Sequence, residues 1–313
     1  MKKILLDVLI CPSCLPEEIS LKGNIREISG EDILEGVLSC PQCRRSYPVE
    51  HGVANLDPNG SGRGTSSENK YETAPVISSY LWSHYADILK DENASDAYRR
   101  WADLIQPHDG LAIDAGAAVG RFTFEMGQRS DLAVGLDNSH AFIKTARELM
   151  VYRKITVALK QEGNITTDVT VSLPPDWDSG KVEFIVADAL MLPFPSGSAG
   201  SLSSLNLVDK VPRPMTHLEE MNRVTRKAGA QFLLSDPFSW SEETAPEEEW
   251  LGGTTRGPYT GKGLDNIVAL LNDGRNRLSP RWNITSRGEV WWRIRTHANH
   301  FEQIRSCYVK ASR

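Results

Sequence analysis

Four of the five cysteines lie in two Cys-Pro-x-Cys pairs near the start of the chain, Cys11/Cys14 and Cys40/Cys43. A gap of two residues lets both thiolates of a tight turn reach one metal ion, and two such turns supply the four sulfurs of a structural zinc site. Because residues 1–57 are too few for a large core, we expect the metal to supply much of the stability of this part. The sequence therefore predicts structural zinc bound by these four cysteines.

After residue 76, short apolar runs alternate with longer mixed segments. Such alternation is typical of parallel strands joined by helices that cover both faces of a sheet. The predicted strands are Leu111–Ala115, Leu132–Leu136, Val182–Ala187, Gly200–Leu205 and Gln231–Ser235, and the predicted helices are Phe122–Arg129, Ala141–Tyr152 and Met215–Lys227. We expect an α/β fold with a doubly wound, mostly parallel sheet, preceded by a small zinc-ribbon-like domain. Residues 290–297 predict a late antiparallel strand.

A segment rich in Gly, Ser and Asn separates the two parts and shows no apolar period, which is typical of a linker. We therefore predict a zinc-binding domain at 1–57, a flexible linker at 58–75 and a large domain at 76–313. The apolar start, residues 1–10, is interrupted by Asp7 and runs into the first cysteine pair. It predicts a buried strand rather than a signal peptide.

Charge and cysteine usage narrow the class of protein. The chain has 35 Lys+Arg against 41 Asp+Glu, a net charge of −6, which argues against holding nucleic acid mainly by charge. No apolar run reaches the roughly 20 residues of a membrane helix. Paired cysteines at metal-ligand spacing favour a reducing cytoplasm over a disulfide framework. We expect a cytoplasmic protein with a small-molecule partner and no membrane contact, and the sequence leaves its oligomeric state open.

The segment Leu111-Ala-Ile-Asp-Ala-Gly-Ala-Ala-Val-Gly-Arg121 predicts a strand, a turn of small residues and the start of a helix. Small residues there let the backbone approach a ligand. The next two predicted strands also end in acids, Asp137 and Asp188, and an acid about 20 residues after such a turn is placed to bind ribose hydroxyls. The pattern indicates a nucleotide-containing cofactor, with NAD as an alternative and a domain without cofactor as another.

Three acids at successive strand ends resemble those of class I S-adenosylmethionine-dependent methyltransferases. The resemblance implies that Asp114, Gly116 and Gly120 shape the site for the methionine part of the cofactor. It further implies that Asp137 binds the ribose and that Asp188 and Ala189 face the adenine. Asn138 and Asn206 complete the implied cofactor-binding set, and Ala118 occupies the position of the family's middle glycine.

The N-terminal part carries a second resemblance. Leu5-Leu-Asp-Val-Leu-Ile-Cys-Pro-Ser-Cys14 and Gly36-Val-Leu-Ser-Cys-Pro-Gln-Cys-Arg-Arg-Ser-Tyr-Pro-Val-Glu-His-Gly-Val53 are similar to the small zinc-binding activator protein of methyltransferases. In that family the zinc unit packs on a methyltransferase and stabilises it. The resemblance implies the same arrangement here, with the activator fused in cis.

Two loops after the fourth and fifth strands are rich in rings and carboxylates, which suits a small polar acceptor. Their segments Asn206-Leu-Val-Asp-Lys-Val-Pro-Arg-Pro214 and Asp236-Pro-Phe-Ser-Trp-Ser-Glu-Glu-Thr-Ala-Pro-Glu-Glu-Glu-Trp-Leu-Gly-Gly253 resemble the methyltransferase domain of ovothiol biosynthesis, which methylates an imidazole nitrogen of a mercaptohistidine. We hypothesise that Asn206 and Asp209 orient the acceptor and that Asp236 or Glu242 holds its ammonium group. The predicted walls or lid are Tyr80, Tyr85, Trp240 and Trp250. His84 is either a site residue or a helix-surface histidine.

Three functions remain open at this point. The first is an N-methyltransferase of small molecules that uses S-adenosylmethionine. The second is a methyltransferase of tRNA or protein, which the zinc unit suggests but the negative charge disfavours. The third is a non-catalytic zinc-ribbon scaffold on a degenerate cofactor domain, which only Ala118 favours.

Overall fold

A single hydrogen-bonded sheet joins the two parts of the chain in the computed structural model, which describes residues 1–59, 70–273 and 277–313. In chain order the strands within these residues are β1 Lys22–Ser29, β2 Asp32–Ser39, β3 Ser46–Glu50, β4 Val53–Asn55, β5 Leu111–Ala115, β6 Leu132–Asp137, β7 Lys154–Glu162, β8 Ile165–Ser172, β9 Val182–Val186, β10 Ala199–Leu205, β11 Gln231–Asp236, β12 Asn283–His297 and β13 His300–Ser312. The α-helices there are α1 Ala74–Tyr85, α2 Ala97–Ala102, α3 Arg121–Gly127, α4 His140–Tyr152, α5 Pro214–Val224 and α6 Gly263–Asn272.

The strand order of the sheet is β1-β2-β3-β4-β9-β6-β5-β10-β11-β13-β12. Pairing is parallel from β4 through β11 and antiparallel at both flanks. The strands β7 and β8 form a separate antiparallel hairpin. This is the predicted Rossmann-like α/β fold, and it brings the carboxyl ends of β5, β6, β9 and β10 to one edge.

Successive side chains of the central strands enter two different hydrophobic clusters. Ile113 and Val134 belong to the cluster that includes α5, α6 and the N-terminal part. Their neighbours Ala112 and Ala133 belong to the cluster that includes α1 to α4. Because side chains alternate along a strand, the two clusters lie on opposite faces of the sheet. The fold is therefore doubly wound, as predicted.

The helix and strand bounds follow the predictions within a few residues, and local chemistry explains the differences. Helix α4 begins after Ser139, whose hydroxyl accepts a hydrogen bond from the Phe142 N–H at 3.1 Å. Helix α5 ends at Val224, short of the predicted Lys227, because Thr225 turns extended and bridges to Ala199. A capping partner or a strand contact, rather than helix propensity, thus sets these ends.

The apolar start and one hairpin show where the structure differs from the predictions. The apolar start contains a 3₁₀ helix, Lys3–Asp7, with Leu5 buried, where a strand was predicted. The β7–β8 hairpin was missed, although the Gly163-Asn164 pair between alternating segments is a hairpin signal. Its mostly exposed side chains weaken the hydrophobic alternation that would have revealed it.

The predicted linker, 58–75, lies largely outside the described residues, which omit 60–69. Within the remainder a 3₁₀ helix spans Lys70–Glu72, and α1 begins at Ala74. The described end of this segment is therefore helical, and the division into domains stays a prediction. Among the described residues, no helix combines the length and apolar character needed to cross a bilayer.

Strand β4 pairs in parallel with β9, and this pairing joins the N-terminal part to the rest of the sheet. Beside the pairing, Arg147 of α4 forms ion pairs with Glu183 of β9 and with Asp32 of β2, the latter at 3.1 Å. Gly52 lies against this arginine at a φ of +80°, and a Cβ there would come within 2.6 Å of the Arg147 guanidinium. The joint therefore combines backbone pairing with a buried ion pair, and it needs glycine at position 52.

Candidate functional site

A cavity of about 610 Å³ lies beyond the carboxyl ends of the central parallel strands. Open α/β sheets bind their ligands at this edge. Its lining draws on the turn after β5, the ends of β6, β9 and β10, helix α1 and the β12–β13 hairpin. The predicted cofactor residues in the lining are Asp114, Gly116, Asp137, Asn138, Asp188, Ala189 and Asn206.

The turn after β5 is a backbone cradle. Gly116 has a φ of +79°, and both its N–H and that of Ala117 donate to the Leu136 carbonyl at 2.9 Å. Gly120 is not in the cavity lining. It caps α3 at a φ of +85°, and a Cβ there would come within 2.6 Å of Phe184. Gly120 thus permits close helix-to-strand packing, whereas Gly116 opens the approach to the ligand.

Ala118 adopts a left-handed conformation with a φ of +45°. Its N–H donates to the Asp137 carboxylate at 2.9 Å, so the turn keeps its geometry although a methyl group replaces the family's glycine hydrogen. The left-handed region costs a non-glycine residue about 1–2 kcal/mol. The structure therefore gives no support to a degenerate turn at this position.

We expect Ala118→Gly to raise the free energy of unfolding by about 0.5–1 kcal/mol, because relief of the left-handed strain exceeds the entropy that glycine adds to the unfolded chain. Urea unfolding followed by circular dichroism measures the change. The neighbouring Ala117→Gly variant is the control, and it should be destabilised because Ala117 does not have a positive φ. Destabilisation of both variants would contradict the account.

The carboxylates of Asp114 and Asp137 lie at the ends of neighbouring strands. Burial raises the pKa of the Asp114 carboxyl to about 7, with opposition from the Thr123 hydroxyl, which donates to it at 2.7 Å. Burial likewise raises the pKa of Asp137 to about 6, opposed by the N–H groups of Ser139 and Ala118. Bringing a cationic ligand close to these groups favours their ionised forms.

The affinity for S-adenosylmethionine should therefore fall by about tenfold between pH 7.5 and pH 5.5, because acid protonates Asp114 first and a carboxylic acid no longer attracts the cation. The raised pKa of Asp114 also affects stability. Between about pH 4 and pH 7 the folded protein keeps the Asp114 proton, whereas the unfolded chain has lost it. The contribution of Asp114 to the free energy of unfolding therefore falls as the pH rises from about 4 to 7. Isothermal titration at several pH values measures the affinity. Asp114→Asn should flatten the profile, and an unchanged slope in that variant would contradict the assignment.

The ends of β9 and β10 complete the cofactor side. Asp188 accepts a hydrogen bond from the Leu190 N–H at 2.8 Å, and burial raises the pKa of its carboxyl. The buried His217 bridges the Ala189 carbonyl at 3.1 Å and the Ser204 hydroxyl at 2.9 Å. Burial lowers the pKa of this imidazole to about 4. His217 is thus neutral and holds the loop that carries Ala189.

Asn206 lies where β10 ends, at a φ of +57°. Its side-chain oxygen accepts from the Ser306 hydroxyl, which in turn accepts from the Trp292 indole N–H at 2.9 Å. This chain of hydrogen bonds ties the β12–β13 hairpin to the end of β10. Since Asn206 and Trp292 both line the cavity, the hairpin forms its far wall.

The predicted acceptor contacts Asp209 and Asp236 lie outside the cavity lining, with 1% and 0% of their surfaces exposed. Asp236 accepts from the Phe238 N–H at 2.7 Å, and Asp209 accepts from the Ser239 N–H at 2.6 Å. Burial and the neighbouring Asp209 carboxylate raise the pKa of Asp236 well above its ordinary value. These acids fasten two loops together, which corrects their assignment as substrate contacts.

Only some of the residues predicted to form aromatic walls line the cavity. Tyr80 lines the cavity, whereas Tyr85 is fully buried and donates its hydroxyl to the Val119 carbonyl at 2.9 Å. The rings of Trp240 and Trp250 stack with their centroids 6.3 Å apart, and both lie outside the lining. Glu242 is exposed and also outside it. Of the four predicted wall or lid residues, Tyr80 therefore lies in this lining and Tyr85, Trp240 and Trp250 do not, and the predicted ammonium contact Glu242 also lies outside it.

Helix α1 contributes His84 to the cavity lining. The side chain of His84 is only 5% exposed, so it is not an ordinary histidine on the helix surface. Lining residues that the sequence analysis missed include Tyr71, Tyr98, Lys210, Trp292 and Glu302. Tyr98 lies on α2, and Trp292 and Glu302 lie in the late hairpin, far along the chain from the glycine turn. Only the aromatic character of these segments signalled a role.

The four predicted zinc ligands meet at one point of the N-terminal part. All four sulfurs lie within 4.8 Å of one another, and the Cys11–Cys43 and Cys14–Cys40 sulfurs are each 3.6 Å apart. A tetrahedral zinc ion with bonds of about 2.3 Å places its sulfurs roughly 3.8 Å apart. The Tyr47 hydroxyl lies 3.3 Å from the Cys11 sulfur and supports it from outside. The donor set therefore fits structural zinc.

The residues of the cavity also fit S-adenosylmethionine. Three strand-end acids line the cavity and would attract a positively charged ligand, and a Cβ at Gly116 would fill the turn and meet Leu207 at 3.0 Å. Asp137 and Asn138 offer polar atoms to a ribose at the end of β6. Within the described lining, Lys210 is the single Lys or Arg side chain, so the cavity favours a cation over an anion.

Comparison with known proteins finds one family match in each of the two parts of the chain. The family model described as "Methyltransferase domain" matches residues 113–233, and the one described as "Trm112p-like protein" matches residues 2–52. An uncharacterised chloroplastic methyltransferase of Arabidopsis thaliana is 24% identical over an alignment of 255 residues, and the alignment covers 74% of this chain. The chain spans 64% of the length of that relative.

One solved structure with a similar course of the chain is a SAM-dependent methyltransferase from Aquifex aeolicus. Its sequence is 13% identical, and the TM-score is 0.42. The match covers 72% of this chain and 95% of that chain. Another is a chain from the complex between the Haloferax volcanii Trm112 methyltransferase activator and an inferred methyltransferase, with 14% identity, coverage of 75% and 98%, and a TM-score of 0.42. The two family matches agree with the cavity and the sulfur cluster in their positions along the chain. Residues 2–52 therefore form a Trm112p-like domain, and residues 113–233 belong to a class I S-adenosylmethionine-dependent methyltransferase domain.

Proposed function

We propose that this protein transfers a methyl group from S-adenosylmethionine to a nitrogen of a small molecule, with a mercaptohistidine-like imidazole as the leading acceptor. The observation that carries the proposal is the shape of the cavity. Strand-end acids form one side, and α1 with the β12–β13 hairpin encloses the other. A cavity of about 610 Å³ is in the range that takes a small ligand rather than a folded macromolecule.

In this proposal the residues of the chain bind the two reactants and align them. When bound, S-adenosylmethionine supplies an electrophilic methyl group. Asp114 and Asp137 would attract the cation, and Asn206, which is held by Ser306 at the end of β10, would orient the acceptor. Trp292 and Tyr80 exclude water from the far side. A neutral imidazole nitrogen is already nucleophilic, so alignment of its lone pair provides most of the acceleration.

A methyl-transfer assay tests the proposal. Purified protein is incubated with S-adenosylmethionine and, separately, with mercaptohistidine, histidine, histamine and small amines, and mass spectrometry detects a gain of one methyl group. Asp137→Ala, which removes the ribose contact, is the negative control. Turnover of at least one nitrogen acceptor is expected. Transfer to none of them, with methylation of tRNA or protein instead, would overturn the small-molecule proposal.

A tRNA or protein acceptor is the second candidate, and two observations favour it. The Trm112p-like match covers residues 2–52, and the exposed Trp291 lies 5.7 Å from the Arg305 guanidinium on the outer hairpin. Rings and arginines of this kind bind nucleic-acid bases. Binding of tRNA that weakens steeply with salt would support this candidate.

We further propose a reducing location, the cytoplasm, because none of the five cysteines forms a disulfide and four of them lie in a cluster that fits zinc. Purified protein that contains one zinc per chain and five thiols after denaturation would support it. Native disulfides would contradict it.

A further inference from the structure

Two neutral hydrogen-bonding side chains face the cavity from the helices that precede the sheet. His84 of α1 and Tyr98 of α2 both line it, with ring centroids 4.3 Å apart. They are only 5% and 7% exposed. Nδ1 of His84 has no hydrogen-bond partner within the part of the chain that the structure describes. Since buried polar groups are nearly always paired, the unpaired Nδ1 of His84 indicates a ligand that would supply its partner.

The pair lies at one particular end of the cavity. The charges of Tyr80 and Asp114 both contribute, after burial, to raising the pKa of Tyr98, so Tyr98 lies near the carboxyl end of β5. The resemblance assigns the acids at the ends of β6 and β9, Asp137 and Asp188, to the ribose and adenine, and both line the cavity. Strand β5 is on the opposite side of β6 from β9. The amino-acid end of S-adenosylmethionine therefore lies towards His84 and Tyr98.

That end of the ligand carries a carboxylate, and the described lining offers no unpaired cationic side chain to bind it. Lys210 is the one cationic side chain in the described lining, and its Nζ lies 3.3 Å from the Asp209 carboxylate. Burial, followed by the nearby Arg121 charge, lowers the pKa of His84 well below its ordinary value, so the imidazole stays neutral. Arg121 donates to the His84 carbonyl at 2.8 Å and so fixes the end of α1, while its charge is paired with Asp87 and Glu125.

We propose that His84 and Tyr98 bind the carboxylate of the amino-acid end of S-adenosylmethionine through two neutral hydrogen-bond donors. Hydrogen bonds to a charged group in a buried site are strong without a formal counter-charge. The pair acts as a positioning device, since a fixed carboxylate fixes the direction of the sulfonium methyl group. This inference rests on the proposed use of S-adenosylmethionine.

The test compares two ligands that differ only in this group, S-adenosylmethionine and decarboxylated S-adenosylmethionine. Isothermal titration measures both affinities in the full-length wild type and in the Tyr98→Phe and His84→Phe variants. Each variant should bind S-adenosylmethionine about tenfold more weakly and the decarboxylated ligand within about twofold of the wild type. Tyr98→Phe removes a single oxygen, so it remains informative if His84→Phe fails to fold. His84→Gln, which keeps an amide donor, should recover part of the loss.

Tyr85→Phe is the matched control, because Tyr85 follows His84 on the same helix and donates to Val119 outside the cavity. It should lower the melting temperature and leave the ratio of the two affinities unchanged. Equal weakening of both ligands by Tyr98→Phe, or no weakening of either, would overturn the inference. A wild type that binds the two ligands equally would overturn the inference alone, whereas a wild type that binds neither would overturn the proposed function with it.

Discussion

Cys40→Ser is expected to release the zinc ion and to unfold the N-terminal part of the chain. The four sulfurs lie within 4.8 Å of one another, and loss of one leaves a three-ligand site in a part with a thin core of its own. Structural zinc contributes about 10–16 kcal/mol of apparent binding free energy in small domains, so we expect a loss of more than about 5 kcal/mol. Metal analysis measures the zinc per chain, and urea unfolding measures the stability.

Cys307→Ser is the matched control for this variant. Cys307 is a free, half-buried thiol on β13, in the same sheet but away from the cluster, and its replacement should keep one zinc per chain and change stability by less than about 1 kcal/mol. Because β4 pairs with β9, Cys40→Ser should also weaken binding of S-adenosylmethionine near Asp188. A Cys40→Ser protein with a full complement of zinc and an unchanged urea midpoint would contradict the structural role.

Glu183→Leu should lower the free energy of unfolding by about 3–5 kcal/mol, because it leaves the Arg147 charge buried without its main partner. Glu183 is fully buried, Arg147 is 4% exposed, and the Glu183 carboxylate also accepts from the Lys2 N–H. The variant thus breaks contacts from both parts of the chain at once. Urea unfolding followed by circular dichroism measures the loss.

The double variant Arg147→Met/Glu183→Leu separates the cost of an unpaired charge from the loss of packing. Replacing both partners with apolar side chains removes the unpaired Arg147 charge, so the double variant should be more stable than Glu183→Leu alone. Glu27→Leu, an exposed substitution on β1, should change stability by less than about 0.5 kcal/mol. A double variant whose loss equals the sum of the single losses would show that the two residues do not interact.

Features that depend on neighbours in the chain could be predicted from the sequence. The β5 strand, the glycine turn and the acids at the ends of β6 and β9 are local patterns, and all of them line one cavity apart from Gly120. The cysteine pairs also carry their spacing in the sequence, and their sulfurs meet as predicted. In these cases the residue type and its position along one strand or turn determine the geometry.

Features that depend on side-chain direction or on distant pairing could not be predicted in this way. Asp209 and Asp236 follow strands that end at the cavity, yet their carboxylates turn into the protein to bind backbone N–H groups. Tyr80 and Tyr85 lie on one helix, but five residues of helical rotation place them on different sides. The hairpin wall with Trp292 comes from tertiary contacts of β13 with β11, which no local pattern contains.

The parallel pairing of β4 with β9 has a consequence for the chain at high dilution. Without β4, strand β9 would be an open edge that invites pairing with other molecules. If the strand that pairs with β9 belonged to a separate protein, it would dissociate from β9 as the two proteins were diluted. Here that strand belongs to the same polypeptide, and a tether keeps it at an effective concentration in the millimolar range. The edge should therefore stay sealed at any total amount of protein, with no requirement for matched production of a second subunit.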